Sequence, residues 1–157
     1  MQAAGLLIDA DLPASCRTLS PSDFGFHNAL RRTDSQIVFL DFEYFGWDDP
    51  AKMLSDFLLH PASGLNVTLK RRFADNIFAR FKNSCDLSRR VEVVCPLFGL
   101  KWCLIFLNEF IPELLLRRGF VGEPGGEEAE VQAEQLEKAR TMLGRISREY
   151  RHFSYYA

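Results

Sequence analysis

Residues 19–50 constrain the fold of this chain most, because they combine turn-forming residues, short β-like runs and two acidic centres. Residues 29–32 and 37–40 are β-like runs, and the four polar residues between them have the composition of a turn. Two such runs joined by a short turn predict a β-hairpin. Asp23 lies before this hairpin and Asp41 directly follows its second strand. The hairpin is therefore expected to return the chain and bring the two acids together.

Most of the remaining chain is predicted to be helical. Residues 1–18 have weak periodicity and are expected to be a short lead-in or the tail of a removed element, and residues 42–49 are expected to form a loop. Pro50 suits the first turn of a helix, and Asp49 is a candidate N-cap, so a helix is expected to run to about residue 59. Apolar residues at four-residue steps predict a second helix over residues 66–82.

The C-terminal half is predicted to contain three further helical segments. A short segment capped by Asp86 ends near residue 94, and Pro96 is expected to start a separate, most buried helix toward residue 117. Residues 119–127 are glycine-rich and predict a connector. A last helix over residues 127–152 is acidic at its start and basic near its end, which complements the helix dipole. Its apolar residues favour packing on its own domain over oligomerisation: Leu136, Ala139, Leu143, Ile146, Tyr150 and Phe153.

Composition excludes several classes of protein. The chain has 157 residues, 47% hydrophobic and 25% charged, which suits one globular domain and argues against disorder. A net charge of −2 gives no basic surface for nonspecific nucleic-acid binding. Residues 93–107 are very apolar, but the stretch is too short to span a bilayer and contains Pro96 and Lys101, so a buried helix is predicted and no membrane association.

The four cysteines, Cys16, Cys85, Cys95 and Cys103, show no CxxC spacing, which argues against a zinc site. Their low density in a chain of this length favours reduced thiols and a cytoplasmic location. The first 13 residues lack the basic start and long apolar run of a signal peptide.

Asp23, Asn28 and Asp41 are the strongest candidates for chemistry. Carboxylate and amide oxygens are the ligands that Mg²⁺ prefers. Phosphoryl transfer needs a carboxylate near the accepting hydroxyl and metal ligands that neutralise the phosphates. The alternative reading of Asp23 is a turn residue, since Ser-Pro-Ser-Asp is turn-prone.

Three neighbouring residues have open roles. His27 is either a substrate contact or, the favoured reading, a hydrogen-bonded loop residue. Glu43 either shares the metal site or fixes the loop. Trp47 either stacks on substrate or, the favoured reading, lies in the core. Asp56 is interpreted as structural, and a loop arginine is one candidate partner.

These residues resemble the aminoglycoside phosphotransferase and choline kinase-like family, which shares the protein-kinase fold. Its catalytic loop reads roughly His-Gly-Asp-x-x-x-x-Asn, matched here by Asp23 and Asn28. Its metal motif, Ile-Asp-Phe/Trp-Glu, is matched by residues 41–43, and its Gly-x-x-Asp-Pro turn by residues 46–50. The chain departs from the family in having Pro21-Ser22 where the loop commonly has His-Gly.

The resemblance implies a mainly α (α+β) fold, the C-terminal lobe of a protein-kinase-like phosphotransferase with a small β-hairpin bearing the catalytic loop. The whole chain would form one lobe, with residues 19–60 holding the motifs and residues 66–157 forming a helical subdomain. The implied reaction moves the γ-phosphoryl group of ATP to a hydroxyl of a small molecule. Asp23 would be catalytic, and Asn28 and Asp41 would bind Mg²⁺.

Residues 1–18 contain neither a glycine-rich loop nor a lysine, so the nucleotide-binding N-terminal lobe of the family is expected in the full-length protein and absent from this sequence. This leaves open whether the isolated chain is active. The alternative is a non-catalytic kinase-like module, or a fragment, that binds a partner without nucleotide chemistry.

Overall fold

A computed structural model of the chain describes residues 11–81, 86–117 and 126–150. The described part is mainly helical and contains two small antiparallel sheets of two strands each, which confirms the predicted mainly α class. It divides into two compact units. The first runs to Phe98 and includes Tyr150, and the second covers Gly99–Glu149.

The predicted hairpin is present. Strand β2 (Ala29–Arg31) pairs antiparallel with β3 (Ile37–Phe39), and Ala29 lies opposite Phe39. A tight turn closes it, with the amide of Ser35 donating to the carbonyl of Arg32 at 3.0 Å.

A second sheet joins β1 (Thr18–Ser20) to β4 (Gly46–Asp48), with Leu19 opposite Trp47. The expected loop over residues 42–49 was wrong at β4, and β1 begins at the last residue of the expected lead-in. Each strand has only three residues, which is too few for the alternation of apolar and polar side chains to be visible in the sequence.

Helix α1 (Pro50–Leu59) begins and ends as predicted. Asp49 is its N-cap and accepts a hydrogen bond from the amide of Ala51 at 2.9 Å. Leu54 and Leu58 are fully buried on its inner face. Helix α2 (Val67–Arg80) is capped by Asn66, and Lys70 donates to the carbonyl of Leu58 at 2.7 Å, which satisfies one of the last carbonyls of α1.

Helix α3 (Leu87–Phe106) contains Pro96 in its interior, so the prediction of two helices meeting at Pro96 was wrong. Proline cannot donate to the preceding turn, yet the flanking apolar turns are long enough to carry the helix through it. The expectation that this helix is the most buried was also wrong, because Leu97, Leu100 and Leu104 are exposed. By length and composition alone, Leu87–Phe110 could cross a membrane, and 28% of its most apolar window is buried.

The second unit contains the end of α3, the short helix α4 (Pro112–Arg117) and the long helix α5 (Gly126–Glu149). The thiol of Cys103 donates to the carbonyl of Ala139 at 3.5 Å, and Gln132 donates to the carbonyl of Glu109 at 3.0 Å. These two bonds fasten α5 to the α3 end of the unit.

Part of the expected apolar seam of α5 is buried. Ala139 and Ile146 face the interior, whereas Leu143 is exposed. Some predictions fall outside the described residues. These are the connector up to residue 125, the helix ends at residues 82 and 152, and Phe153.

The sequence had suggested that the cysteines are reduced, but the structure contains a disulfide-bonded cysteine. Cys16 is disulfide-bonded and buried, whereas Cys95 and Cys103 are buried thiols that form no disulfide. Burial raises the pKa of the Cys103 thiol.

Candidate functional site

The loop between β1 and β2 carries Asp23, and a hydrogen bond fixes the geometry at its start. At its start, the buried hydroxyl of Ser20 accepts a hydrogen bond from the amide of Ser22 at 3.1 Å. Ser22 has φ = 66°, a left-handed conformation that costs a non-glycine residue free energy.

Phe24 anchors the loop to the interior of the first unit. Its ring centroid lies 5.0 Å from that of Phe39 on β3, 5.4 Å from Phe57 on α1 and 6.3 Å from Phe73 on α2. Phe57 and Phe73 contact each other at 3.9 Å. Because Phe24 directly follows Asp23, this cluster sets where the carboxylate lies relative to the hairpin and the helices.

The Asp23 carboxylate is held by two side chains from its own loop. His27 Nε2 lies 2.9 Å from Oδ1. The amide nitrogen of Asn28 donates to Oδ2 at 3.2 Å and also to the main-chain carbonyl of Asp23 at 3.0 Å. With its nitrogen so engaged, the Asn28 amide leaves its oxygen as an acceptor that no described residue uses. Two of the predicted site residues, Asp23 and Asn28, are therefore in direct contact.

Asp23 is an ionised carboxylate at neutral pH. Partial burial works to raise its pKa, but the hydrogen bond and charge of His27, the hydrogen bond of Asn28 and the charge of His60 together outweigh that effect. The pKa of Asp23 therefore lies below its ordinary value of 3.8. An ionised carboxylate can accept a proton or orient a hydroxyl, and it can also ligate a cation.

The hairpin brings Asp41 to the same end of the sheet. The amide of Leu40 donates to the carbonyl of Asn28 at 2.8 Å, which extends the β2–β3 pairing by one step, and Asp41 is the next residue. Asp41 has φ = 60° and an exposed side chain. Its carboxylate forms no hydrogen bond or ion pair within the described ranges. A left-handed aspartate with a free carboxylate at a strand end suits metal binding.

Glu43 and Trp47 lie on the surface. Hydrogen bonding by Glu43, and then its charge, raise the pKa of the Tyr44 hydroxyl, so Glu43 interacts within its own turn. Trp47 is 68% exposed, so the expectation of a core position was wrong. Its ring is accessible on the outer side of the β1–β4 sheet, across from Leu19.

Sequence reasoning missed Lys52. Its ammonium donates to the hydroxyl of Ser22 at 3.1 Å and to the Asp48 carboxylate at 2.6 Å, and it lies 3.5 Å from that of Asp56. Lys52 is therefore one ion-pair partner of Asp56. The i, i+4 spacing of Asp48, Lys52 and Asp56 was a visible signal, but only the fold reveals the link to the Asp23 loop.

Arg90 links α3 to the start of α1. Its guanidinium bonds to the carboxylate of Asp49, and its side chain is only 23% exposed. Asp49 therefore caps α1 with one oxygen and binds α3 with the other.

His60 is the second residue that the sequence did not point to. It follows the last residue of α1, and its ring stacks on that of His27 with centroids 3.8 Å apart and planes 3° apart. Its Nε2 lies 3.9 Å from Oδ1 of Asp23. It reaches the loop from the C-cap position of α1, 37 positions along the chain from Asp23, so no local pattern could have found it.

Asp23, His27 and His60 hold their donor atoms within 4.8 Å of one another, the spacing of a metal centre. The ring geometry does not fit one. The lone pair of a ring nitrogen lies in the ring plane, and one ion about 2.0–2.1 Å from both nitrogens cannot lie in two stacked planes. In addition, Nδ1 of His60 accepts a hydrogen bond from the amide of Ala62 at 3.1 Å, so a neutral His60 carries its proton on Nε2.

Comparison of the chain with protein-family models, curated proteins and solved structures finds no significant match.

Proposed function

We propose that this chain is the catalytic half of an ATP-dependent phosphotransferase that moves the γ-phosphoryl group to a hydroxyl of a small molecule. One observation carries the proposal. Asn28 donates from its amide nitrogen to both the carbonyl and the carboxylate of Asp23, while its oxygen stays available, and Asp41 follows one step beyond on the hairpin. A carboxylate for the hydroxyl and two oxygen ligands for a cation thus belong to one end of one hairpin.

Each residue has a role that its surroundings support. Asp23, ionised and held by His27 and Asn28, orients the acceptor hydroxyl and accepts its proton. The oxygen of Asn28 and the carboxylate of Asp41 would hold Mg²⁺, because both are oxygen donors without a protein partner in the described ranges. The bound ion would neutralise charge on the ATP phosphates. The nucleotide lobe that the resemblance implies would supply the other wall of the cleft.

The test is ADP release by the full-length protein with ATP, Mg²⁺ and a panel of small hydroxyl-bearing acceptors. Asp23→Asn is expected to lower kcat by about 10²–10⁴-fold, the usual contribution of a positioned proton acceptor, with little change in KM for ATP. Asp34→Asn is the matched control, because Asp34 lies in the turn at the opposite end of the same hairpin, where its carboxylate contacts the amide of Gln36 and the guanidinium of Arg32. Equal turnover in wild type and Asp23→Asn would rule out the role of Asp23.

A specific observation supports the second candidate, a non-catalytic module that binds a partner. The segment after the hairpin exposes several large apolar side chains that a folded protein normally buries or uses for binding. They are Phe42, Tyr44, Phe45 and Trp47, each about half exposed or more. A full-length protein that binds neither ATP nor ADP with Mg²⁺, yet loses a protein partner on Trp47→Ala, would favour this candidate.

A further inference from the structure

The Asp23 carboxylate needs outside support to hold one position. It is 51% exposed and lies in a loop, where an aspartate ordinarily samples several rotamers. One of its oxygens is bound by Asn28, and the other depends on the ring of His27. The orientation of that ring therefore decides the orientation of the carboxylate.

The His27 ring is enclosed on two sides. On one side is Gly25, where an added methyl group would lie 2.6 Å from Cε1 and 2.7 Å from Nδ1 of the imidazole, so the ring occupies the space that any other side chain would fill. The other contact is the ring of His60, stacked at 3.8 Å with planes 3° apart. A rotation about the Cβ–Cγ bond that tilts the His27 ring out of its plane would break this stack and withdraw Nε2 from Asp23.

His60 is itself fastened to the rigid part of the unit. Its main-chain amide donates to the carbonyl of Asp56 at 2.9 Å at the end of α1, whose Leu54 and Leu58 are fully buried. Its Nδ1 accepts the amide of Ala62 at 3.1 Å, and its side chain is only 13% exposed. A continuous series of contacts thus runs from the core through α1 and His60 to His27 and Asp23.

We propose that His60 is a positioning residue, which fixes the imidazole of His27 by ring stacking and thereby fixes the carboxylate of Asp23. Its importance for turnover rests on the proposed phosphotransferase function, but its effect on His27 does not. The His60 side chain makes both the ring stack with His27 and the hydrogen bond with Ala62, and substitutions can remove them separately. The proposal assigns the positioning of His27 to the stack.

Three substitutions separate these duties. His60→Phe keeps a flat ring for His27 and loses both the acceptor for Ala62 and the Nε2 atom that lies 3.9 Å from Asp23. His60→Asn keeps a side-chain oxygen that can accept from Ala62 and loses the ring. His60→Ala loses both. Each variant is compared by long-range ¹H–¹⁵N NMR of the imidazoles at about pH 8, where an ordinary histidine is neutral.

The expected signature in the wild type is a His27 ring protonated on Nε2, because the ionised Asp23 beside it can only accept. His60→Phe is expected to keep this signature and the contacts of ring 60 with His27. His60→Asn and His60→Ala are expected to lose it, giving averaged nitrogen shifts. The reverse pattern, with His60→Asn like the wild type and His60→Phe altered, would overturn the proposal. It would assign the effect to the hydrogen bond with Ala62 at the end of α1 and not to the ring stack. An unchanged signature in all three variants would overturn it as well.

The turnover of the full-length protein gives the second reading. His60→Asn and His60→Ala are expected to lower kcat at least about tenfold at unchanged KM for ATP, since small misplacements of a reacting group are costly, and His60→Phe is expected to restore most of kcat. If the NMR pattern holds while the wild type transfers no phosphoryl group to water or any acceptor, the proposed function fails and the positioning of His27 by His60 stands.

Discussion

At the scale of single residues, the candidate site combines side chains from one short segment with side chains that reach it across the fold. Asp23, Asn28 and Asp41 were visible because their spacing around a hairpin pattern lies within one short segment. Lys52 and His60 were not, because their contacts with the loop are made across the fold by side chains from and just beyond α1. Sequence spacing reveals groups on one element, whereas contacts between distant elements need the packing.

Gly25 gives the first residue-scale prediction. Its φ is 174°, extended backbone that any residue adopts, so Gly25→Ala tests space alone. The added methyl group is expected to push the His27 imidazole away and break its hydrogen bond to Asp23, which imidazole ¹⁵N shifts would report. Gly46→Ala is the control, because an added methyl group there meets nothing within 4 Å. Wild-type His27 shifts in Gly25→Ala would contradict the enclosure of the ring.

The lowered pKa of Asp23 gives a prediction for pH. A carboxylate whose pKa is lower in the folded than in the unfolded chain stabilises the fold above the unfolded value, here near 3.8, and loses that effect as pH falls through the folded value. Asp23→Asn is therefore expected to be less stable than the wild type at pH 7, with the difference shrinking below pH 3.8. Urea unfolding at several pH values measures it, and a pH-independent difference would contradict the assignment.

At the scale of elements, the hairpin and helices α1 and α2 followed from the sequence because their turns, caps and apolar spacing are local signals. The β1–β4 sheet could not be predicted, since two three-residue strands far apart in the chain are defined only by each other. Pro96 misled the prediction of α3 because a local propensity was overridden by the long apolar helix around it.

The aromatic cluster under the loop gives the element-scale prediction. Phe57 is 5% exposed and contacts both Phe24 and Phe73, so Phe57→Ala is expected to lower the free energy of unfolding by about 3–5 kcal/mol. Phe42→Ala, at a ring that is 49% exposed, is expected to change it by no more than about 0.5 kcal/mol. Denaturant unfolding of both variants checks the contrast, and equal losses would mean that the cluster does not anchor the loop.

At the scale of the whole molecule, the small net charge of −2 offers little electrostatic attraction for anions, so any affinity for a nucleotide must arise at a local site with its cation. The mainly helical class followed from helix caps and apolar periodicity. The division into two units at Phe98 did not, because the boundary falls inside an uninterrupted helix.

Nucleotide binding gives the prediction at this scale. MgADP at about 100 times its Kd is expected to raise the free energy of unfolding of the full-length protein by about 2.7 kcal/mol. Asp41→Asn is expected to abolish the gain in the presence of Mg²⁺, and Asp34→Asn to retain it. Thermal unfolding with and without MgADP measures both, and the same gain in Asp41→Asn would remove that carboxylate from the metal site.

The left-handed backbone at Ser22 and Asp41 limits which substitutions the two positions can accept during sequence divergence. Glycine, asparagine and aspartate adopt that conformation at low cost, whereas valine, isoleucine and threonine do not. Homologues that diverge freely around the loop are therefore expected to draw on the same few small or amide-bearing residues at position 22. Position 41 is expected to accept even fewer residue types, because only aspartate combines a low-cost left-handed backbone with a carboxylate that could bind the metal.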